Sequence, residues 1–477
     1  MQLAIPISKR DGPLFRQVYG GIRQAILAGA LKPGERLPST RDLADQLGVS
    51  RTVILLAYDH LLAEGFVTGR AGSGTFVSTG MARNVAPGTR GLARVQLSRF
   101  GKIASRSIPT VDTPKPRPTT PRYNFIYGRS DLATFPFAVW RRLLLRQARK
   151  GSAKQFDYGS ASGNAELRGA ICSYLRRSRA VVCEPDDVIV VNGSQQALDL
   201  VIRVLVDPGD TVALENPHYD GFREALRAAG ARLWAVPVDR EGLDPARLPD
   251  DARLVFVTPS HQFPTGAILP LERRLAVLDW ARRRNAVIVE DDYDGEFHYE
   301  GRPLESLQGL DREGRILYIG TFSRTVFPSM RIGYVIAPRS LVPALTAAKW
   351  LCDLHSASLE QQTLADFITG GMYERHLRRL RKKNTARRAA LLESIAEYLG
   401  DRVEVTGDGA GAQVALWPSR KLVEKTVVEA AAQKRVGIYG MAHCWLRRPS
   451  RPGFILGYAR LNESEIREGI RLLGQIL

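Results

Sequence analysis

Short apolar runs alternate with helical patterns from about residue 123 onward, and that alternation restricts the fold more than any other feature of the chain. Val188–Val191 precedes a helical pattern that starts at Ser194. Thr211–Leu214 precedes another that starts near Tyr219. Leu254–Val257, Val287–Glu290 and Ile316–Ile319 follow. Runs apolar at every position suit strands buried on both faces, which occur in parallel sheets covered by helices. The expected class is therefore α/β with a mainly parallel sheet. Val414–Trp417, Val423–Gln433 and Glu463–Leu473 read as the strand and helices of a smaller C-terminal α+β subdomain.

In such a sheet the chemistry belongs in the loops at the carboxyl ends of the strands, and the polar motifs fall there. Asn192 to Leu198 joins a strand to a helix, and the unpaired N–H groups at the helix start suit a phosphate. Asn216-Pro217-His218-Tyr219 presents a ring that can stack. Thr258 to Gly266 reads T-P-S-H-Q-F-P-T-G, and Glu290-Asp291-Asp292-Tyr293 ends the next strand. A buried carboxylate there suits a cationic ring nitrogen, and a nearby tyrosine hydroxyl suits a ring oxygen. The plainer readings are a helix cap for Asn192–Gln196 and surface carboxylates for Asp291 and Asp292. His261 reads equally well as a structural hydrogen-bonder or a ligand contact. Arg223, Arg447 and Arg460 suit an effector carboxylate or a solvated surface, and arginine is abundant enough here to favour the second reading.

The N-terminal part has a different pattern. Leu14, Val18, Ile22, Ile26 and Leu27 mark a first helix, with Pro13 at its start. Ser39 or Thr40 caps a short helix, Arg41 to Leu47, and Ser50 caps a longer one reaching about Glu64. Val53, Ala57, Tyr58, Leu61 and Leu62 are its expected inner face. Two helices joined through Gly48-Val49 form a helix-turn-helix, and Gly65 to Val77 reads as a β-hairpin wing. The charge agrees with a polyanion partner. Residues 1–122 hold 18 Lys/Arg against 7 Asp/Glu, so this quarter carries +11 of the chain's +19.

Residues 1–79 resemble the GntR-type winged helix through L-x-P-G-E-R-L-P-S-T-R-D-L-A, G-V-S-R-T-V, L-x-x-E-G and G-S-G-T-F-V. The resemblance implies a double-stranded DNA operator as partner. Ser50, Arg51 and Thr52 would then face base edges, and Arg41 a phosphate or base. Arg70, Gly72 and Gly74 would approach the backbone or minor groove. Residues 80–122 hold nine Lys/Arg, one acid and six prolines, and read as a basic, semi-extended linker in which Leu92 to Ile103 leaves room for a short amphipathic helix. Residues 123–477 form the remaining domain.

That domain resembles the fold-type-I, pyridoxal-phosphate (PLP) dependent aminotransferases, and with the N-terminal match it is similar to the MocR-type regulators. The resemblance rests on the loops above, on Asp157-Tyr158-Gly159 and Gly301-Arg302-Pro303-Leu304, and above all on Gly320 to Tyr334. It implies that Ser194, Gln195, Thr321, Ser323 and Arg331 hold the phosphate. Tyr219 would stack on the ring, Asp291 would pair with its nitrogen, and Tyr293 with its hydroxyl. The last stretch resembles S-K-x-x-x-P-x-x-R-x-G, whose lysine forms the Schiff base in that family; here Arg324 stands at that position. Guanidinium is a poor nucleophile and stays protonated, so transamination is not expected.

Three readings stay open: PLP held noncovalently, a preformed PLP–amino acid aldimine with Arg324 on its phosphate or carboxylate, or a pocket that has left PLP. The expected function is a DNA-binding regulator whose body senses a vitamin B6 or amino-acid-type effector. The alternatives are an active aminotransferase fused to a winged helix and a PLP-blind DNA-binding scaffold. The family implies a head-to-tail homodimer. Four scattered cysteines, no metal spacing, no signal peptide and no long apolar run point to a cytoplasmic protein without a metal or membrane.

Overall fold

A computed structural model describes residues 3, 5–8, 10–70, 72–79, 96–106, 121–151, 156–299, 305–447, 449 and 451–477. The expected motif Gly301 to Leu304 and most of the expected linker lie outside them. The chain divides into two compact units, Met1–Gln96 and Leu97–Leu477.

The first unit holds α1 (Leu14–Leu27), α2 (Thr40–Leu47), α3 (Arg51–Ala63) and an antiparallel hairpin, β1 (Val67–Arg70) with β2 (Gly74–Val77). Ser39 caps α2 by accepting from the Asp42 N–H, and Ser50 caps α3 by accepting from the Val53 N–H. Gly48 closes α2 in the left-handed region, which sets the tight turn into α3. Val18, Ile22 and Ile26 pack on Leu43, Ile54, Ala57, Tyr58 and Leu61. Leu62, expected inside, is exposed, and Ile54 takes the inner face instead. In α3 the residues Ile54, Ala57, Tyr58 and Leu61 repeat at three- and four-residue steps, and Leu62 falls one step off that stripe.

The second unit opens with α4 (Arg99–Ala104), β3 (Tyr123–Asn124), α5 (Phe137–Lys150) and α6 (Ala165–Arg179). Strands and helices then alternate: β4 (Val188–Val191), α7 (Ser194–Leu205), β5 (Thr211–Asn216), α8 (Asp220–Ala229), β6 (Arg232–Asp239), β7 (Gly242–Leu243), β8 (Ala252–Val257), α9 (Leu271–Arg284), β9 (Val287–Asp292), β10 (Ile316–Thr321) and β11 (Gly333–Ile336). Three helices follow, α10 (Val342–Asp353), α11 (Ser358–Thr369) and α12 (Met372–Tyr398). The chain ends through β12 (Val403–Thr406), β13 (Gln413–Pro418), α13 (Glu424–Gln433), β14 (Val436–Gly437), β15 (Tyr439–Gly440), β16 (Phe454–Gly457) and α14 (Glu463–Leu473). Within the expected linker, α4 packs on α8 and belongs to this unit.

Eight strands form the main sheet in the order β4-β11-β10-β9-β8-β5-β6-β7. β5, β6, β8, β9 and β10 pair in parallel. β11 runs antiparallel between β10 and β4, so β4 points the same way as β10. β4 is buried at every residue, as its apolar run predicts, and β11 is buried throughout as well. β12, β13, β16 and β15 make a separate antiparallel sheet, which with α12, α13 and α14 forms the smaller subdomain. No helix among the described residues is long and apolar enough to cross a membrane.

Candidate functional site

The parallel strands end together, and the sheet order decides which loops meet there. β4 lies next but one to β10, so the start of α7 faces the turn that leaves β10. Gly193 caps α7 without a side-chain hydrogen bond, leaving that helix start open to an acceptor. Arg331 crosses it, donating from Nη2 to the Asn192 carbonyl at 3.1 Å. A Cβ on Gly193, whose φ is +83°, would lie 2.4 Å from the same Nη2. Arg331 itself holds φ +51°, which turns the chain out of the Pro328–Met330 turn. Across the cup, the Thr321 hydroxyl donates to Ser323 Oγ at 3.0 Å and accepts from the Ser323 N–H at 3.2 Å. Helix start, two hydroxyls and a guanidinium make a donor set suited to a phosphate.

Gln195 and Tyr219 are joined on the same side, the Tyr219 hydroxyl donating to Gln195 Oε1 at 3.2 Å. Tyr219 meets Phe263 edge-on, and Phe263 meets Tyr293 edge-on, with ring centroids 6.1 and 6.0 Å apart. Three aromatic groups thus border the space above the strand ends.

Asp291 lies at the end of β9, buried, and its Oδ1 has no hydrogen-bond partner among the described residues. Burial first, and the neighbouring Asp292 second, raise its carboxyl to about 7, while Arg324 pulls the other way. A buried acceptor without a donor is costly unless a partner arrives, and a protonated ring nitrogen is such a partner. The residues therefore fit a phosphorylated pyridine at both ends, donors for the phosphate and an orphaned carboxylate for the ring.

Arg324 is half-buried, with Cζ 5.2 Å from the centre of the Tyr293 ring. Its head also passes Gly128, where a Cβ would lie 3.5 Å from Nη1. Its charge lowers Asp291, Tyr293 and Asp294, but it makes no hydrogen bond or ion pair among the described residues. The following residue is anchored: Thr325 accepts at its carbonyl from His376 Nε2 and at its hydroxyl from Tyr373. α12 thus fixes the loop that aims Arg324.

A second layer lies behind these groups, and it settles the two readings of His261 in favour of the hydrogen-bonder. His261 Nε2 lies 3.1 Å from the Gly407 carbonyl, which can only accept, so this nitrogen carries the proton. Its Nδ1 stands 3.1 Å from the Tyr293 hydroxyl and 3.4 Å from Asp294 Oδ2. Burial pushes Asp294 up, yet His261 and Arg324 outweigh it and hold its carboxyl below the usual range. His261 is thereby a hydrogen-bonder behind Tyr293. Gln262 pins the same loop, donating to the Pro217 and Phe263 carbonyls and accepting from Thr265. Arg223, expected to be solvated, is folded under the C-terminal loop instead, donating to the His443 carbonyl at 2.6 Å. Arg447 and Arg460 are exposed. Tyr127, which borders Phe263 and feels the Arg324 charge, had no motif to mark it.

In the first unit Arg41, Ser50, Arg51, Thr52, Arg70, Gly72 and Gly74 are all exposed. Arg51 Nε reaches Thr40 Oγ1 at 3.3 Å, tying the starts of α2 and α3. Arg70 lies over Phe76, 4.9 Å from the ring centre. Gly74, at φ +108°, leaves room for Arg36, whose Nε would sit 3.0 Å from a Cβ there. Arg36, not singled out in the sequence, joins the wing through its bridge to Phe76. Among the described residues no cluster of His, Cys, Asp and Glu suits a metal ion.

Comparison with known proteins places both units. Residues 14–77 match the family model "Bacterial regulatory proteins, gntR family", and residues 128–471 match "Aminotransferase class I and II". The chain is 40% identical to the probable rhizopine catabolism regulatory protein MocR of Rhizobium meliloti, over 97% of this chain and 93% of that one. It is 31% identical to the pyridoxine biosynthesis transcriptional regulator PdxR of Corynebacterium glutamicum, over 94% and 93%. Among solved structures it resembles the kynurenine aminotransferase of Pyrococcus horikoshii in complex with PMP (TM-score 0.71, 26% identity, 82% of this chain and 96% of that one). It also resembles the α-aminoadipate aminotransferase LysN of Thermus thermophilus, complexed with N-(5'-phosphopyridoxyl)-L-leucine (TM-score 0.69, 27% identity, 82% and 97%).

Proposed function

The chain belongs to the MocR-type transcriptional regulators of the GntR family, with a DNA-binding winged helix and an aminotransferase-like body, and from that premise we propose that its body senses PLP or a PLP–amino-acid-type ligand without a covalent anchor. The observation that carries this reading is the buried, unpartnered Oδ1 of Asp291, set across from a cup of phosphate donors. Arg331, Thr321, Ser323 and the start of α7 would hold the phosphate, with Ser194 and Gln195 at that start. Tyr219 would cover the ring. Asp291 would keep the ring nitrogen protonated, and Tyr293, backed by His261, would reach the ring oxygen.

PLP supplies an electrophilic aldehyde that amines attack. Arg324 stands where the resemblance expects the attacking lysine, and it offers a fixed cation instead of an amine. It suits the carboxylate or phosphate of a ligand, and it cannot serve as the proton shuttle at a substrate carbon. The relatives support a sensor: one is named for pyridoxine biosynthesis and one for rhizopine catabolism. A related fold binds a phosphopyridoxyl amino acid. The chain works as a cytoplasmic homodimer on an operator, in keeping with its class, and ligand binding changes its DNA affinity.

The test is the absorbance spectrum of the purified protein with PLP after desalting, repeated for Arg324→Lys. A retained spectrum matching the free aldehyde in the parent supports the noncovalent sensor. A displaced band confined to Arg324→Lys shows that the anchor alone is missing. Loss of PLP from both proteins would refute the reading, and turnover of an amino donor by the parent would restore the enzyme.

A further inference from the structure

The outer sides of α5 and α12 form a continuous cationic face. One groove is lined by Arg141, Arg146, Arg149 and their neighbours on α5, and a second by Arg378, Arg379 and Lys382 with residues of α5. Arg142 lines both, so the two are one surface. Among the described residues no Asp or Glu lines either groove. The floor is apolar, with half-exposed Leu145 in the first and Val139 and Met372 in the second.

These cations are not spent on internal pairs. Arg141, Arg142, Arg149, Arg378, Arg379 and Lys382 are exposed and make no ion pair among the described residues. Among the described residues Arg146 is the groove arginine that forms an ion pair, with Asp366. Like charges also repeat at four-residue steps, as at Arg142 and Arg146, or Arg378 and Lys382, which costs helix stability. The opposite faces of the same helices bury Trp140, Leu143, Tyr373, Leu377 and Leu380 in ordinary packing, so the helices do not need this charge to fold.

A second copy of the chain is a poor occupant, because a twofold contact would set cations on cations. A polyanion is the complementary partner, and the family already places this protein on DNA. We infer that the α5–α12 face of the aminotransferase-like body binds the phosphate backbone of double-stranded DNA, as a second contact besides the winged helix. Arginine forks bridge phosphate oxygens in pairs, and Arg375 to Lys382 spans about 10 Å of α12, enough to meet several successive phosphates. The contact reads no bases. It adds affinity, salt dependence and a hold on DNA outside the recognised half-site.

The inference rests on the DNA-binding reading, and one titration separates the two. The full-length protein is titrated against a random-sequence 60-bp duplex at several salt concentrations, beside a triple variant, Arg142→Gln, Arg378→Gln and Lys382→Gln. Removing one cation from a phosphate makes the slope of log affinity against log salt shallower by about one, so the expected change is roughly two to three. Affinity at low salt falls at least tenfold, with a melting temperature no lower than the parent's. A second variant confined to the end of α5, Arg149→Gln with Lys150→Gln, keeps the test open if the triple variant folds poorly; its slope should change by one to two. A parent that binds DNA with the same slope as both variants would overturn this inference alone, leaving an acidic protein as the partner class. A parent that binds no DNA would overturn the DNA-binding reading and this inference together.

Discussion

A Cβ on Gly193 would sit 2.4 Å from Nη2 of Arg331, residues 138 positions apart in the chain. The glycine is required twice, by its φ of +83° and by the guanidinium that crosses it.

Gly193→Ala should therefore cost roughly 1–3 kcal/mol of stability in the body and displace Arg331 from the helix start. Thermal melting reads the first effect. Retention of PLP through desalting reads the second, and it should fall together with retention in Arg331→Ala. Full retention by Gly193→Ala would mean that Arg331 does not hold the phosphate.

Asp291→Asn tests the orphaned carboxylate through pH. Its folded value, about 7, lies above the ordinary 3.8, so the folded state holds the proton longer than the unfolded one. In the ligand-free protein its favourable contribution is intact below about pH 4 and is lost as pH rises toward 7. Across that window the parent should lose stability relative to Asp291→Asn by up to about 1.4 kcal/mol per pH unit. Glu215, Glu290 and Glu296 are raised likewise and titrate in both proteins, so the difference between the two isolates Asp291. A pH-independent difference would count against its burial.

His261 stands behind Tyr293, with Nδ1 3.1 Å from the hydroxyl. His261→Ala should weaken PLP retention several-fold while leaving the ring contacts in place, whereas Tyr293→Phe should lose the same interaction directly. The double variant should be no worse than Tyr293→Phe. Additive losses would separate His261 from Tyr293.

Arg51→Ala should weaken specific DNA binding by roughly 1–3 kcal/mol, because the start of α3 is where this fold reads bases. Binding that weakens equally on operator and random DNA would make Arg51 a phosphate contact. Ser39→Ala removes the α2 cap and should lower the stability of the first unit by about 1 kcal/mol, read by its own unfolding transition.

Part of the element list was legible: β4, β5, β8, β9, β10, α7 and the elements of the first unit were read, whereas β6, α5, α6, α9 to α12, β12 and β16 were not. Runs such as Val188–Val191, cap residues such as Ser50 and the Gly48 turn act on their neighbours, so a short window of sequence carries them. Leu62 was misplaced because one residue along a helix is a 100° step, and two adjacent leucines leave the phase open. β11 went unread because its four residues continue the Gly320–Tyr334 motif, whose turn chemistry masks a strand. The presence of Arg324 where the family resemblance expects lysine was also readable without coordinates. What the tertiary structure decided was company: Arg331 over Gly193, His261 behind Tyr293, Arg36 against Gly74, and one cationic face from two helices more than two hundred residues apart. Those contacts depend on strand order and helix docking, which are set by burial summed over the whole unit and leave no local mark in the chain.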